Sequence, residues 1–248
     1  MRRRAFDLIA FDGDDTLWHN ERSYRDARER FQRMLAAAGV DLTEEEVEAR
    51  VNRTELANIE YYGYGVSSFV LSLIETSIEL TGGRVSGRDL HGLIALAKEM
   101  LSEDIELFPS ARAAVDVAAA TYPLMLVTKG DLLHQTSKLE RSGLRPSFTY
   151  VEVVSHKTPP VYADILERRG VSPDRFLMIG NSLRSDVLPV IEAGGWAVYV
   201  PAALSWAHEH AELPEAARAR CFELASLEEL AGLLESLESP ASRSRFRR

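Results

Sequence analysis

Two aspartates, Asp12 and Asp14, stand directly after an apolar run and are separated by one glycine. A pair of carboxylates can divide the work of a hydrolysis, because one can attack as a nucleophile while the other donates and accepts protons. Gly13 between them allows the chain to leave strand geometry, so that both side chains can face one pocket. For this stretch alone, an acidic surface turn stays open as an alternative, since Asp-Gly is also turn chemistry.

Further polar residues stand at or shortly after the ends of later apolar runs: Thr128, Lys157, and the stretch from Gly180 to Asp186 that includes Asn181. These runs alternate with helical patterns, which predicts an α/β fold with a doubly wound parallel sheet, because parallel neighbours need crossover helices. The carboxyl ends of parallel strands meet at one edge of a sheet. We therefore predict that these residues join Asp12 in a phosphate site.

Residues 20–104 interrupt this alternation with helical periodicity. Within them Thr43 and Glu46 have the spacing of a capping box at a helix start. We predict an inserted all-α helical cap domain at 20–104 and an α/β catalytic core formed by 1–19 and 105–248. A glycine-containing break between cap helices carries Tyr61, Tyr62 and Tyr64, which either contact the substrate or seal the cap against the core.

These residues resemble the haloacid dehalogenase (HAD) superfamily, and the resemblance covers the whole chain, including a helical insertion similar to its C1-type cap. The first motif of the family, Asp-x-Asp-x-Thr after a hydrophobic strand, is matched by Asp12, Asp14 and Thr16. The strand-end Ser or Thr is matched by Thr128, and the downstream lysine by Lys157. The acidic last motif is matched by residues 180–186.

The resemblance implies a Rossmann-like core and a Mg²⁺-dependent phosphatase that works through an aspartyl-phosphate. Asp12 would be the nucleophile and Asp14 the acid/base, while Lys157 and Thr128 would bind the phosphoryl group. A hard cation suits this site, because the substrate phosphate and the carboxylate repel each other. The implied metal ligands are the Asp12 side chain, the main-chain carbonyl of Asp14 and an acidic group from the last motif.

Two positions depart from the family pattern. Many relatives carry Asp where this chain has Asn181, so Asp186 is expected to supply the carboxylate, either directly or through a bound water. Asn181 can still coordinate through its amide oxygen. Lys129 stands where relatives often carry Asn, and it either touches a second anionic group of the substrate phosphate ester or faces solvent.

Hydrolysis of a small soluble phosphomonoester is the predicted activity, and three alternatives remain. A phosphosugar mutase of the same family shares every core residue. A 2-haloacid dehalogenase is opposed by Asp14, because that branch works without this acid/base. A non-catalytic regulatory protein that binds phosphate has Asn181 as its only support.

Composition narrows the class of partner. The chain has 248 residues and a formal net charge of -9, which argues against nucleic acid as the main partner because phosphate backbones demand clustered positive charge. No window approaches the roughly 18 apolar residues needed to span a bilayer, and Cys221 is the single cysteine. We expect a cytoplasmic protein acting on a small phosphorylated metabolite, with the arginines at both chain ends solvated.

Overall fold

The structure is a computed structural model that describes residues 4–204, 206–209 and 211–239, so most of the arginines at the chain ends lie outside the described residues. Six strands are present in the described part: β1 (Leu8–Phe11), β2 (Leu124–Lys129), β3 (Tyr150–Val154), β4 (Phe176–Gly180), β5 (Trp196–Tyr199) and β6 (Cys221–Glu223). The α-helices described are α1 (Glu21–Ala37), α2 (Glu44–Tyr62), α3 (Val66–Leu80), α4 (Gly87–Ser102), α5 (Ala111–Ala119), α6 (Leu132–Arg141), α7 (Pro159–Arg169), α8 (Leu188–Glu192), α9 (Glu215–Arg218) and α10 (Leu230–Glu238). None of these described helices combines the length and the apolar character that a membrane crossing requires.

The strands form one sheet in the order β3-β2-β1-β4-β5-β6. Strand β1 lies in the middle and pairs in parallel with both β2 and β4, with Phe11 opposite Leu126 on one side and Ile179 on the other. The chain therefore leaves β1, β2 and β4 at the same edge of the sheet. The predicted doubly wound parallel sheet is confirmed.

Both faces of the sheet are buried, as expected for parallel strands covered by helices. Along β1, Ile9 and Phe11 join one apolar cluster, and Leu8 and Ala10 join a second. This alternation is the two-residue period of a strand. Strands β1, β2 and β4 consequently consist of continuous apolar runs up to their last one or two residues, whereas β3 is half-buried and carries Glu152.

The chain divides into two compact units. The first, here the α/β unit, comprises the described residues of Met1–His19, Ile105–Thr128 and Thr136–Arg248. The second, here the helical unit, comprises Asn20–Asp104 together with Lys129–Gln135, so it takes a short segment that the sequence assigned to the core. Helices α1 to α4 of the helical unit bury an apolar cluster of their own that includes Phe31, Phe69 and Leu73. The capping box of Thr43 and Glu46 at the start of α2 is confirmed.

Candidate active site

The turn after β1 brings Asp12 and Asp14 into one short stretch. The main-chain oxygen of Gly13 accepts the N–H of Leu17 at 2.8 Å, which folds the chain back on itself. Asp15 makes this return possible by adopting a left-handed conformation, with φ of 58°. Aspartate tolerates that conformation better than most side chains do. Asp15, which lies between Asp14 and Thr16, therefore has a backbone role in this turn.

Trp18 closes this turn. Its ring is fully buried and packs directly against Gly13, where an added Cβ would lie 2.6 Å from the ring. A side chain at position 13 would therefore displace the indole. The glycine between the two aspartates is therefore required for this packing, whereas its φ is not positive and gives no separate reason for a glycine.

A buried lysine lies between two carboxylates at the edge of the sheet. Lys157 Nζ donates to Asp12 Oδ1 at 2.5 Å and to Asp186 Oδ1 at 2.7 Å. The other oxygen of Asp186 accepts the main-chain N–H of Ser182 at 3.0 Å. One cation thus faces two anions among side chains that are almost completely buried. The structure brings together these three residues predicted from strand ends.

Burial is the largest influence on the pKa values of Asp12 and Lys157. Burial raises the pKa of Asp12 to about 7, and neighbouring Asp186 adds to the rise, while Lys157 opposes it. Burial lowers the pKa of Lys157, but Asp12 and Asp186 outweigh this and raise it above its ordinary value. Lys157 therefore keeps its positive charge, and the carboxylates that face it share a single counter-ion.

Asp14 is held by two donors on the same oxygen. The indole Nε1 of Trp18 donates to Asp14 Oδ1 at 2.6 Å, and Lys138 Nζ donates to it at 2.8 Å. The Lys138 side chain is 6% exposed, whereas that of Asp14 is 22% exposed. The Asp14 side chain is thus partly accessible to solvent, while two buried donors fix its orientation.

The last motif, Gly180 to Asp186, is held by hydrogen bonds within itself and by hydrogen bonds to Glu209. After β4, residues Leu183–Val187 form one turn of π-helix, a geometry often found at functional sites. The carboxylate of Asp186 lies against the main chain of Gly180, so that a Cβ added there would overlap it. Glu209 accepts the hydroxyl groups of Ser182 at 2.6 Å and Ser185 at 2.5 Å. These contacts fix the direction in which Asp186 points.

The oxygen atoms at the ends of β1 and β4 fit a hard cation. The Thr16 hydroxyl donates to Asp12 Oδ2 at 2.8 Å and lies 3.2 Å from the amide oxygen of Asn181. Within the described residues, no group of three His, Cys, Asp or Glu side chains forms a metal ligand set. A metal at this edge would draw on Asp12, Asn181, a main-chain carbonyl and Asp186, directly or through a water, and all of these offer oxygen donors of the kind that Mg²⁺ prefers.

The remaining predicted residues lie in two places. Thr128 is buried near the end of β2, two residues beyond Leu126, which pairs with Phe11 next to Asp12. Lys129 belongs to the helical unit, where its Nζ lies 4.2 Å from the ring centroid of Tyr64. In the same unit the side chains of Tyr61 and Tyr62 are exposed.

Lys138 and Trp18 were missed as site residues by the sequence reasoning. A signal for Lys138 exists in α6, where three of the four buried residues are polar, namely His134, Gln135 and Lys138, while Leu139 is apolar. Their spacing is that of one helical face. A helix that covers a sheet normally buries apolar residues, so a polar inward face indicates a partner at the end of a strand. No comparable signal distinguishes Trp18 from a packing residue.

The α/β architecture and this cluster at the strand ends define a family. A profile for haloacid dehalogenase-like hydrolases matches residues 6–194, and the chain belongs to that family. It is therefore a hydrolase with the predicted Rossmann-like core.

Individual relatives refine this picture. The crystal structure of a haloacid dehalogenase-like family hydrolase from Xanthomonas campestris is 38% identical, covers 97% of this chain and 95% of its own, and superposes with a TM-score of 0.82. A glyceraldehyde 3-phosphate phosphatase of Methanothermobacter thermautotrophicus is 26% identical over 82% of this chain and 90% of its own. A 2-haloacid dehalogenase from Pseudomonas syringae, 18% identical over 93% of this chain and 99% of its own with a TM-score of 0.61, shares the fold.

Proposed function

We propose that the chain is a Mg²⁺-dependent phosphatase that hydrolyses a small phosphomonoester through an aspartyl-phosphate on Asp12. The observation that carries this proposal is the side chain of Asp14, which is partly exposed and fixed two residues after Asp12. Hydrolysis of an ester needs an acid for the leaving oxygen, and a carboxylate at this position can serve as one. Dehalogenation needs no such acid, because halide leaves as a stable anion.

In the first half-reaction, an oxygen of Asp12 attacks phosphorus and forms the acyl phosphate. The bond between phosphorus and the ester oxygen breaks, and Asp14 gives its proton to the departing alcohol. Lys157 lies 2.5 Å from Asp12 Oδ1, where its charge can stabilise the transferring phosphoryl group. Thr128, at the end of the adjacent strand, would donate its hydroxyl group to the same phosphoryl group.

In the second half-reaction, Asp14 has lost its proton and acts as a base. It takes a proton from water, whose oxygen attacks phosphorus and releases inorganic phosphate. The P–O bond to Asp12 breaks, and the free carboxylate is restored. The same side chain therefore serves as acid and then as base, with no net change in protonation over the cycle.

Mg²⁺ would be held by Asp12, Asn181 and the main-chain carbonyl of Asp14, with Asp186 contributing through a bound water. When bound, this ion offsets the repulsion between the substrate phosphate and the Asp12 carboxylate. Asp186 already accepts from Lys157 and from the Ser182 N–H, which favours the indirect role for it.

The substrate is proposed to be a small, soluble phosphorylated metabolite in the cytoplasm. The relative named as a glyceraldehyde 3-phosphate phosphatase supports the phosphomonoester class. Lys129 is proposed to contact a second anionic group of the substrate. The exposed side chains of Tyr61 and Tyr62, together with Tyr64 beside Lys129, are proposed to select the substrate from the helical unit.

The test is a panel of phosphate esters with glyceraldehyde 3-phosphate, glycerol phosphate, phosphoglycolate and p-nitrophenyl phosphate. We expect release of inorganic phosphate with Mg²⁺ and none with EDTA. Conversion of a hexose 1-phosphate to the 6-phosphate without phosphate release would instead identify a mutase. Halide release from a 2-haloacid would identify a dehalogenase, and inactivity on every compound would favour a binding protein.

A further inference from the structure

We propose that Lys138 and Trp18 act together as positioning residues that orient Asp14 for proton transfer to the leaving group. This inference rests on the proposed phosphatase function. Both donors meet at one atom, Asp14 Oδ1, at distances of 2.8 Å from Lys138 Nζ and 2.6 Å from Trp18 Nε1. An oxygen that already accepts two N–H donors is a poor carrier of the transferred proton, so we assign that proton to Oδ2.

The position of Lys138 is unusual for a lysine. It lies on α6 beside Leu139, which belongs to the core cluster of the α/β unit, and the residue is only 5% exposed. A buried ammonium group is costly unless an acceptor oxygen faces it, because burial in a low-dielectric environment disfavours the charge. Asp14 Oδ1 supplies that acceptor at 2.8 Å. The pair therefore ties a helix on the sheet to the turn after β1.

Trp18 is equally constrained. Its ring is fully buried against Gly13, so the indole N–H cannot swing away from Asp14 without breaking that packing. The two donors also come from different elements, one from the turn after β1 and one from α6. Two donors on one carboxylate oxygen restrict rotation about the terminal torsion of the side chain. The Asp14 carboxyl group is thus oriented before the substrate binds. Orientation matters here because a misplacement of a catalytic group by about 1 Å can lower the rate by about 10²-fold.

The dependence of the rate on the leaving group separates this role from a structural one. An alkoxide leaves with great difficulty unless it is protonated, whereas p-nitrophenolate leaves readily as an anion. A badly oriented acid therefore slows an alkyl phosphate more than an aryl phosphate. The measured quantity is kcat/KM, because it reports only the steps up to departure of the alcohol and not the later hydrolysis of the acyl phosphate.

The experiment compares wild type, Lys138→Met, Lys138→Arg and Trp18→Phe on glycerol phosphate and on p-nitrophenyl phosphate with Mg²⁺. For Lys138→Met we expect kcat/KM to fall by about 100-fold on the alkyl ester and less than about tenfold on the aryl ester. Trp18→Phe should also lower kcat/KM more on the alkyl ester than on the aryl ester, but by a smaller factor. Lys138→Arg should restore part of the activity on the alkyl ester that Lys138→Met loses. Lys98→Met, which changes an exposed lysine on α4, leaves both values unchanged.

An equal loss on both esters would overturn the proposal, since a lysine that binds the phosphoryl group or supports the fold affects both alike. Unchanged values in Lys138→Met would overturn it as well. If Lys138→Met does not fold, Trp18→Phe decides. If that variant has the wild-type ratio of kcat/KM on the alkyl ester to kcat/KM on the aryl ester, the positioning role is refuted. Failure of the proposed function is recognised separately, because wild type would then release phosphate from neither ester, and the positioning role would fall with it.

Discussion

Each unit of the molecule contains a buried carboxylate beside a buried cation. In the α/β unit Asp12 faces Lys157 at 2.5 Å, and in the helical unit Glu55 faces Arg28 at 2.7 Å. Burial is the largest cause of the pKa rise in both acids, and it brings each to about 7. A shifted pKa alone would therefore mark both as functional residues.

The residues around them distinguish the Asp12–Lys157 pair from the Glu55–Arg28 pair. Asp12 follows the central strand, and a second acid, Asp14, stands in the same turn with its side chain partly exposed. Arg28 instead packs over the ring of Phe69 at 5.0 Å and has Glu48 as a second acid at 3.3 Å. The pair in the helical unit joins α1 to α2 and stabilises that packing. Position at the end of a parallel strand, and not ionisation, distinguishes Asp12, the carboxylate proposed to react, from Glu55.

Removing the carboxylate charge from each pair tests this distinction most strongly. Asp12→Asn should lower kcat for phosphate release by at least about 10⁴-fold, because the amide cannot form the acyl phosphate. Glu55→Gln, the matched change in the helical unit, should leave kcat within about twofold of wild type. Equal activity of Asp12→Asn and wild type would exclude Asp12 as the nucleophile.

Removing the cations should affect stability similarly and activity differently. Lys157→Met leaves Asp12 and Asp186 without their shared cation, and Arg28→Met leaves Glu55 without its cation. Each change should therefore lower the free energy of unfolding by about 3–5 kcal/mol in urea denaturation. Only Lys157→Met should also abolish phosphate release. The control is Arg50→Met, whose exposed ion pair with Glu79 should contribute less than about 1 kcal/mol. Wild-type stability of Lys157→Met would contradict the buried pairing.

The pH dependence of stability reports on Glu55. Its pKa is raised from 4.5 to about 7 in the folded protein, so between these values the folded state binds a proton that the unfolded state does not. Stability from this group is therefore greatest below the lower value and falls as pH rises, by about 3 kcal/mol up to pH 7. The difference in unfolding free energy between wild type and Glu55→Gln should shift in favour of the variant over this range. A constant difference from pH 4.5 to 8 would disprove the shift.

The smallest expected effect concerns the metal. Asn181→Asp adds a carboxylate beside the Asp12 oxygen that Thr16 contacts, and it should lower the Mg²⁺ concentration for half-maximal activity by about tenfold. Asn52→Asp, which adds the same charge in the helical unit, should leave that concentration unchanged. Weaker or equal dependence on Mg²⁺ in Asn181→Asp would show that residue 181 does not lie near the metal.

Most of the fold could be predicted from the sequence, because the strands are apolar runs with clear breaks. The apolar run Phe176–Ile179 makes up all of β4 except its last residue, and Asp131 stands just before α6, where its side chain accepts the His134 N–H at 3.1 Å. The π-helical turn at Leu183–Val187 was not predicted. The hydroxyl groups of Ser182 and Ser185 at this turn donate to Glu209, which is distant in sequence and gives no local pattern.

The candidate site was predictable where residues follow strands and not where they come from helices. Asp12, Lys157 and Asp186 meet because the topology gathers strand ends. Lys138 reaches Asp14 from a helix face, and this pairing depends on how α6 packs against the sheet. The local sequence shows that the buried face of α6 is polar, but it does not show that Asp14 is the residue that Lys138 contacts.

The grouping of Lys129–Gln135 with the helical unit has a practical consequence for building chimaeras. A Cβ added at Gly65 would lie 3.3 Å from the main-chain nitrogen of Asp131, so the two segments are closely fitted. An exchange of residues 20–104 alone would transfer Gly65 but leave the recipient's own segment at positions 129–135, so this contact would be made by residues from two different proteins. A transplant between relatives should carry both segments, which makes the graft discontinuous and places one of its junctions immediately after Thr128.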